Sequence, residues 1–465
     1  MNWLLPNQPF QTLDEYLEHG GGQALPAVRE RGAEWALAEL DRSGLRGRGG
    51  AGFPTGRKWR SVLSGGAELG DRFVVVNGAE GEPGTFKDRP LLRSNPYQVI
   101  EGLAIAATVL DAREAFIAVK RSFAPEIEAL QRALPEMADA GLLCDAPVTL
   151  VAGPEEYLFG EEKALLEVIE GNDPMPRWLP PYLHGLFATT PQEGWSGTDR
   201  PDTNDVIGAN PTLVNNAETF ANVPLILARG ADWYRTIGTA ETTGPLLCTV
   251  VGDVRHPSYA EIEPGLTVRE VIERVGGGPQ PGHSVKAVLS GFSNPVLTEK
   301  ELDTPVTYED LATAGGGLGS AGFIVYDDTR SMLSVARMVS RFLYVESCGQ
   351  CRSCKLGCGE ITRRLDSIAA GGGEELDFEI IGQRLLDVTS ATRCFLAEEE
   401  QRVISSLLRR FPEDFADAVS IETLPVPKIV DVRNGSATYD VKQQHKRPDW
   451  TFAPEAAPAE SVGSS

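Results

Sequence analysis

The sequence predicts three unlike units in order: a layered α/β sheet, a small mixed unit, and a helical bundle assembled over cysteines. Three observations carry this. Compact apolar runs alternate with helical periodicity from about residue 73 to 153. The texture shifts to short strand-like runs near residue 242. From Ser331 onward apolar residues recur at helical spacing around "ESCGQCRSCKLGC" (346–358), which holds four of the seven cysteines.

After a short lead-in, residues 41–60, "DRSGLRGRGGAGFPTGRKWR", read as a glycine- and arginine-rich loop. "RFVVVNGAEGEPG" is a compact apolar run that reads as a buried strand ending abruptly in a turn. "YQVIEGLAIAATVL" has helical spacing, "EAFIAVK" is a second strand, "APEIEALQRALPEM" a polar helix and "APVTLVAG" a third strand. Strands alternating with helices predict an α/β layered sheet. Ligands of such sheets sit beyond the carboxyl ends of the strands, where the polar loops gather.

"EEYLFGEEKALLEVIEG" reads as loop, then helix, with Leu165, Leu166 and Ile169 on one face and Gly171 as the stop. "NDPMPRWLPPY" is too rich in proline for helix or central strand and is a rigid loop. "NNAETFANVPLILARG" then resumes helical spacing. Beyond residue 242 the order is strand, turn, strand and short helix, followed by "KAVLSG" and "GFIVYDD", a small mixed unit. Met332, Val335, Val339 and Phe342 form one helical stripe, and three further helical stretches suggest a bundle over a cofactor. After Phe411 the chain is dotted with proline and charge, and its last dozen residues are expected to be disordered.

Lys+Arg 43 against Asp+Glu 66 leaves a net charge of −23. Such a surface repels phosphate backbones and anionic lipid, which argues against nucleic-acid partners and direct membrane insertion. The first residues lack the basic start and apolar core of a signal peptide, and no apolar window approaches about eighteen residues. The expectation is a soluble cytoplasmic protein. In a reducing compartment clustered cysteines are ligands or catalysts more often than disulfides. Cys144 and Cys248, alone in apolar stretches, read as buried structural thiols.

Cys348, Cys351 and Cys354 are spaced C-x2-C-x2-C, which suits a polynuclear centre and cannot pair completely. The spacing favours iron–sulfur over zinc, for which two C-x2-C pairs would be more typical. Cys358, completing a ferredoxin-like run, and Cys394, returning through a helical hairpin, are both open as the fourth ligand. "GLRGRGGAGFPTG" supplies glycines through which backbone amides can approach a phosphate or a flat ring. Taken alone it is a weak signal, neither a P-loop nor a clean dinucleotide fingerprint. Glu80, Glu82, Glu161 and Glu162 follow a strand or open a helix. That context shifts them from ordinary surface charge towards carboxylates that accept ribose or flavin hydrogen bonds.

In this order, "SGLRGRGGAGFPTGRKW", "EGEPGTFKDRPLL", "GEEKALL", "NPTLVNNAET" and "ESCGQCRSCK" resemble one family across residues 40–411. It is the NADH-binding flavoprotein subunit of respiratory complex I, with its relatives in NAD-linked formate dehydrogenases and hydrogenases. The resemblance implies a Rossmann-like α/β flavin domain (1–241), a ubiquitin-like β-grasp domain (242–330) and a C-terminal four-helix bundle binding [4Fe–4S] (331–411). A partly disordered tail (412–465) follows. It implies FMN at the positions matching Gly47, Gly49, Lys58, Asn77, Glu80, Gly160, Glu161, Glu162, Asn215, Asn216 and Thr219. NADH would use Phe53, Glu82, Tyr157 and Glu162, with Tyr182 in place of a phenylalanine. The cluster ligands become Cys348, Cys351, Cys354 and Cys394, against Cys358.

The implied chemistry is hydride transfer between NADH and FMN, then single electrons to the cluster and onward. Glu162 would hold the nicotinamide end and exclude water; Lys58 would stabilise negative charge on reduced flavin or on phosphate. The implied partners are a thioredoxin-like [2Fe–2S] subunit and a larger iron–sulfur or catalytic subunit, one of them docked by the tail. The complex would be peripheral to the inner membrane. Departures from the family pattern are Ala79 for an aspartate, Leu179 for a lysine, Ser61 for an aromatic and Phe395 for a proline. The first three fall on the dinucleotide pocket and suit one alternative, an electron-transfer scaffold that has lost NADH binding; the other, an NAD-reducing subunit of a formate dehydrogenase or hydrogenase, is left equally open by the sequence.

Overall fold

The computed structural model describes residues 2–64, 70–189, 208–416 and 422–447. The lead-in is itself structured: it forms helices α1 (Leu13–Glu18), α2 (Ala24–Arg31) and α3 (Ala33–Ser43). Leu13, Tyr16, Leu25, Val28, Leu37 and Leu40 are buried in the same core as the parallel sheet. The loop expected to run to residue 60 ends earlier, at Pro54. Its φ of −58° sets up helix α4 (Thr55–Leu63). Next come β1 (Phe73–Gly78), α5 (Asp88–Ser94), α6 (Pro96–Leu110), β2 (Glu114–Lys120), α7 (Ala124–Asp139) and β3 (Val148–Gly153). A 3-10 turn at Tyr157–Gly160 leads into α8 (Glu162–Ile169), then β4 (Thr212–Asn216), α9 (Ala217–Arg229) and α10 (Ala231–Tyr234).

The four strands are all parallel, in the order β3-β2-β1-β4. The chain leaves β1 towards β2 on one side, while β4 lies on the other. Between β1 and β4 the connections diverge, and this is where a doubly wound sheet opens a crevice at its carboxyl edge. The register sets Asn77 beside Asn216 at that edge.

The second unit contains β5 (Leu246–Gly252), β6 (Ser258–Ile262), α11 (Val268–Gly276), β7 (Val285–Ser290), β8 (Leu297–Thr298), α12 (Tyr308–Thr313) and β9 (Gly322–Asp327). Its sheet runs β6-β5-β9-β7-β8, with β5 and β9 parallel and the other pairs antiparallel. A reciprocal capping box, Thr267 with Glu270, starts α11. The third unit is α13 (Met332–Glu346), α14 (Arg352–Ser367), α15 (Glu375–Asp387) and α16 (Leu396–Arg410). Met332, Val335, Val339 and Phe342 are all buried, as the stripe predicts.

The chain then continues through α17 (Pro412–Ala416) to a hairpin of β10 (Ile429–Arg433) and β11 (Ser436–Tyr439). Its Asn434-Gly435 turn has φ of 52° and 73°, the left-handed pair that suits tight hairpins. Val426, Ile429 and Val432 are buried in one core with the bundle and with Leu289 and Ile324 of the second sheet. The disorder expected of the last dozen residues falls within 448–465, outside the described residues. Cys248 is buried as expected, whereas Cys144 is only half-buried, its thiol donating to the Ala146 carbonyl at 3.4 Å. No helix among the described residues is long and apolar enough to cross a membrane.

Candidate active site

The glycine loop closes on itself at the β1–β4 crevice. Gly47 donates to the Phe53 carbonyl at 2.8 Å, and the Arg46 guanidinium donates to the Gly52 carbonyl at 2.8 Å. Gly50 and Gly52, with φ of 121° and 61°, adopt backbone that other residues reach only with strain. A Cβ on Gly49 would lie 3.1 Å from the Asn216 Cβ, so the loop rests against the end of β4. The Arg48 N–H donates to Thr219 Oγ1 at 2.8 Å, tying the loop to α9. The loop leads directly into α4, so exposed loop amides and a helix N-terminus sit together, an arrangement suited to phosphate.

Lys58, in the first turn of α4, donates from Nζ to the Val214 carbonyl at 2.7 Å and to Glu162 at 2.8 Å. Trp59 is buried beside it, and with the Asn215 amide turned so that its oxygen faces the indole, Trp59 Nε1 donates to it at 3.0 Å. Asn77 donates to the Gly160 carbonyl at 2.7 Å and accepts the Ala79 N–H at 3.2 Å, joining two of the predicted turns. Asn216 caps α9 by accepting the Glu218 N–H at 3.0 Å.

The acidic loop is more committed to the protein than the sequence suggests. Glu80 accepts the Lys87 and Asp88 N–H groups at 2.8 and 3.0 Å. Glu82 accepts the hydroxyls of Ser293 and Ser320 at 2.8 and 2.6 Å, so it faces the second unit. Burial pushes its carboxyl up, against those hydrogen bonds. No role is assigned to the charges of "FKDR" from the sequence, yet all three are buried, and Lys87 and Asp88 reach Asn216 at the end of β4. Lys87 lies buried between Asp88 at 2.7 Å and Glu218 at 2.8 Å, with Asn216 at 3.2 Å. Burial opposes its charge, yet the two carboxylates hold its pKa above the ordinary range. Lys120, ending β2, is a second buried lysine; burial brings its pKa down to about 7.

The turn from Tyr157 to Glu162 reaches from this crevice to the cysteines. Glu161 caps α8, accepting the Lys163 and Ala164 N–H groups at 3.0 and 2.9 Å. Burial pushes its carboxyl up to about 7, with Lys163 opposing. Lys163 donates to the Arg393 carbonyl, next to Cys394. Tyr157 donates its hydroxyl to Glu399 at 2.9 Å and packs on Phe342 with ring centroids 5.2 Å apart. Cys348, Cys351, Cys354 and Cys394 line one small hollow with Leu158, Gly349, Thr392 and Leu396. Cys358 is not in that lining; it is fully buried in α14, where the neighbouring Cys354 thiol, then burial, pushes its own thiol up. Burial, then the Glu161 carboxylate, pushes the Cys394 thiol up.

These donors fit the two groups the sequence implies. Four convergent thiols with no histidine or carboxylate among them suit an iron–sulfur cluster. A Cβ on Gly160 would sit 3.1 Å from the Ala79 carbonyl, so bare backbone lets these two turns meet, while Gly50 faces open space, as a loop that is to receive a flat ligand requires. Phe53 and Tyr182 are 46% and 41% exposed, leaving their rings able to stack on a ligand. Leu179 is buried, and Ser61 turns its hydroxyl back to the Lys58 carbonyl at 2.7 Å, so neither offers a dinucleotide contact.

Residues 40–225 match the Nuo51 FMN-binding domain, 247–294 the SLBB domain, and 334–418 the NADH-ubiquinone oxidoreductase-F iron-sulfur binding region. The NADH-quinone oxidoreductase F 2 subunit of Rhizobium meliloti (strain 1021) is 35% identical over 425 residues, 89% of this chain and 96% of that protein. The NADH-quinone oxidoreductase F subunit of Aquifex aeolicus (strain VF5) is 35% identical over 412 residues, 87% of this chain and 90% of that protein. A solved NAD+-reducing [NiFe]-hydrogenase chain superposes with a TM-score of 0.73 at 29% identity, covering 89% of this chain and 68% of the other. On sequence, matched regions and fold together, this chain belongs to the family of NADH-quinone oxidoreductase F subunits.

Proposed function

We propose that this chain is the flavoprotein subunit of an NADH:acceptor oxidoreductase, holding FMN at the β1–β4 crevice and a [4Fe–4S] cluster on Cys348, Cys351, Cys354 and Cys394. The observation that carries the reading is the Tyr157–Glu162 turn. It is tied to the glycine-loop helix through Glu162–Lys58 at 2.8 Å, and it lines the cysteine hollow through Leu158. When bound, FMN would exchange hydride with NADH and pass single electrons to the cluster. The chain's own residues orient and shield. Gly47, Gly49 and Gly160 present bare backbone; Asn77, Asn215, Asn216 and Thr219 fix the loops around it; Lys58 offsets negative charge. Glu162 is placed to hold the nicotinamide end, with Phe53, Tyr157 and Tyr182 as stacking surfaces. Glu80 and Glu161 act through the loops they brace.

The finer architecture belongs to the same proposal: a flavin domain (1–241), a β-grasp domain (242–330), a four-helix bundle (331–411) and the segment beyond. A thioredoxin-like [2Fe–2S] subunit and a larger iron–sulfur or catalytic subunit would receive the electron, in a complex peripheral to the inner membrane. The superposition on an NAD+-reducing hydrogenase favours a second reading, the same chemistry run towards NAD reduction. Anaerobic stopped-flow mixing with NADH tests the proposal: prompt bleaching of the flavin, in protein carrying about four irons per chain, is expected. No bleaching at millimolar NADH would leave the electron-transfer scaffold, a role consistent with Glu82 being engaged by Ser293 and Ser320.

A further inference from the structure

Residues 422–447 lie beyond the matched family regions, yet they touch every unit of the molecule. Towards the parallel sheet, the Pro427 carbonyl accepts the Gly84 N–H at 2.7 Å, and Arg89 donates to the carbonyls of Ile429 and, at 2.6 Å, Val430. Arg93 donates to Asp431 at 3.0 Å. Towards the second sheet, Arg330 pairs with Asp253 at 2.7 Å and holds both oxygens of Glu422 at 2.8 Å. Towards the bundle, Lys446 Nζ donates to Glu346 Oε1 at 2.7 Å, and Arg341 donates to the Lys446 carbonyl at 3.3 Å. With Val426, Ile429 and Val432 buried beneath it, the segment is a strap anchored by apolar burial as well as by charge.

Glu346 connects the strap to the active site. It is fully buried, ends α13, and stands two residues before Cys348. Its second oxygen accepts the Tyr157 N–H at 3.0 Å. A buried carboxylate requires charged and hydrogen-bonding partners, and bonds to an ionised acceptor are the stronger ones. Lys446 supplies charge to one oxygen, while the other fixes the residue that opens the turn to Glu161 and Glu162.

We propose that the C-terminal strap is a positioning element for the dinucleotide turn: Lys446, acting through Glu346, holds Tyr157 and Glu162 in register and thereby sets the affinity for NADH. The inference rests on the NADH reading above. Lys446→Met in the full chain should raise the NADH concentration that half-saturates flavin bleaching by about fivefold or more, with the limiting rate within about twofold of the original. Flavin and iron content should be unchanged. Hydrogen exchange at the 157–162 amides, read without NADH, should speed up. Lys446→Arg should restore both. If Lys446→Met is recovered without its cofactors, the double variant Glu346→Gln, Lys446→Met decides. A neutral amide still accepts the Tyr157 N–H and needs no cation, so affinity and exchange should return towards the original.

Unchanged half-saturation together with unchanged exchange in Lys446→Met overturns the inference, as does a double variant no better than the single. Failure of NADH to bleach the unsubstituted protein refutes the proposed function instead, so the two failures are distinguishable.

Discussion

Four thiols around one hollow and one thiol outside it make a clear single-residue test. Cys394→Ser should lose most of its iron and visible absorption, and Cys358→Ser should keep about four irons per chain, measured by iron analysis and absorbance. Lys58→Met should weaken FMN binding to the apoprotein by roughly ten- to a hundredfold, the range for a lost charge-assisted hydrogen bond of about 1.5–3 kcal/mol; quenching of FMN fluorescence measures it. At this scale the sequence was informative where spacing restricts chemistry. Three close cysteines cannot all pair, and glycines at Gly50 and Gly52 permit the positive φ the loop adopts. It was uninformative about orientation. Nothing in "AEGEPG" says that Glu82 turns to Ser293 and Ser320, or that Lys87 lies between two carboxylates.

Elements were legible when their periodicity was long. The strands of "RFVVVNG", "EAFIAVK" and "APVTLVAG" and the helices between them stand where the apolar pattern predicts. β4 was missed because it is only five residues long and runs directly into α9 through Asn216, whose side chain caps that helix. Of the three leading helices, α1 and α2 are short, while α3 does carry a helical apolar stripe in Ala36, Leu37 and Leu40; all three are held by burial on α6, with α2 and α3 also on α9. One glycine lets two of these elements meet. A Cβ on Gly102 of α6 would stand 2.1 Å from the Phe220 carbonyl of α9. Gly102→Ala should therefore cost about 1–3 kcal/mol and lower Tm by several degrees by calorimetry. It should also weaken flavin retention, because α9 begins at the Asn216 and Thr219 edge of the crevice.

Across the whole molecule, the sequence marked three units but not the bonds between them. Lys163 to the Arg393 carbonyl, Glu346 to Tyr157 and Glu82 to Ser320 join residues far apart in the chain. The bundle core also buries a charge-bearing group with a pH signature. Glu400 is fully buried with Ser340 donating at 2.6 Å, and burial pushes its carboxyl up to about 8. Between its unfolded pKa, about 4.3, and about 8 the folded chain holds a proton that the unfolded chain has released. Its contribution is thus complete at low pH and lost as pH rises through 8. Glu400→Gln should flatten that part of the Tm-against-pH curve, and an unchanged slope would place the dependence elsewhere.

In the proposed function one turn, Tyr157 to Glu162, brings the flavin crevice and the cysteine hollow together so that electrons from NADH reach the cluster. An anaerobic NADH titration, following flavin absorbance and the electron paramagnetic resonance of the cluster in the same samples, tests it most directly. Flavin bleaching accompanied by a growing reduced-cluster signal, with no such signal in flavin-stripped protein, is the predicted result. A bleached flavin beside a cluster that stays oxidised under excess NADH, yet is reduced by dithionite, would contradict it.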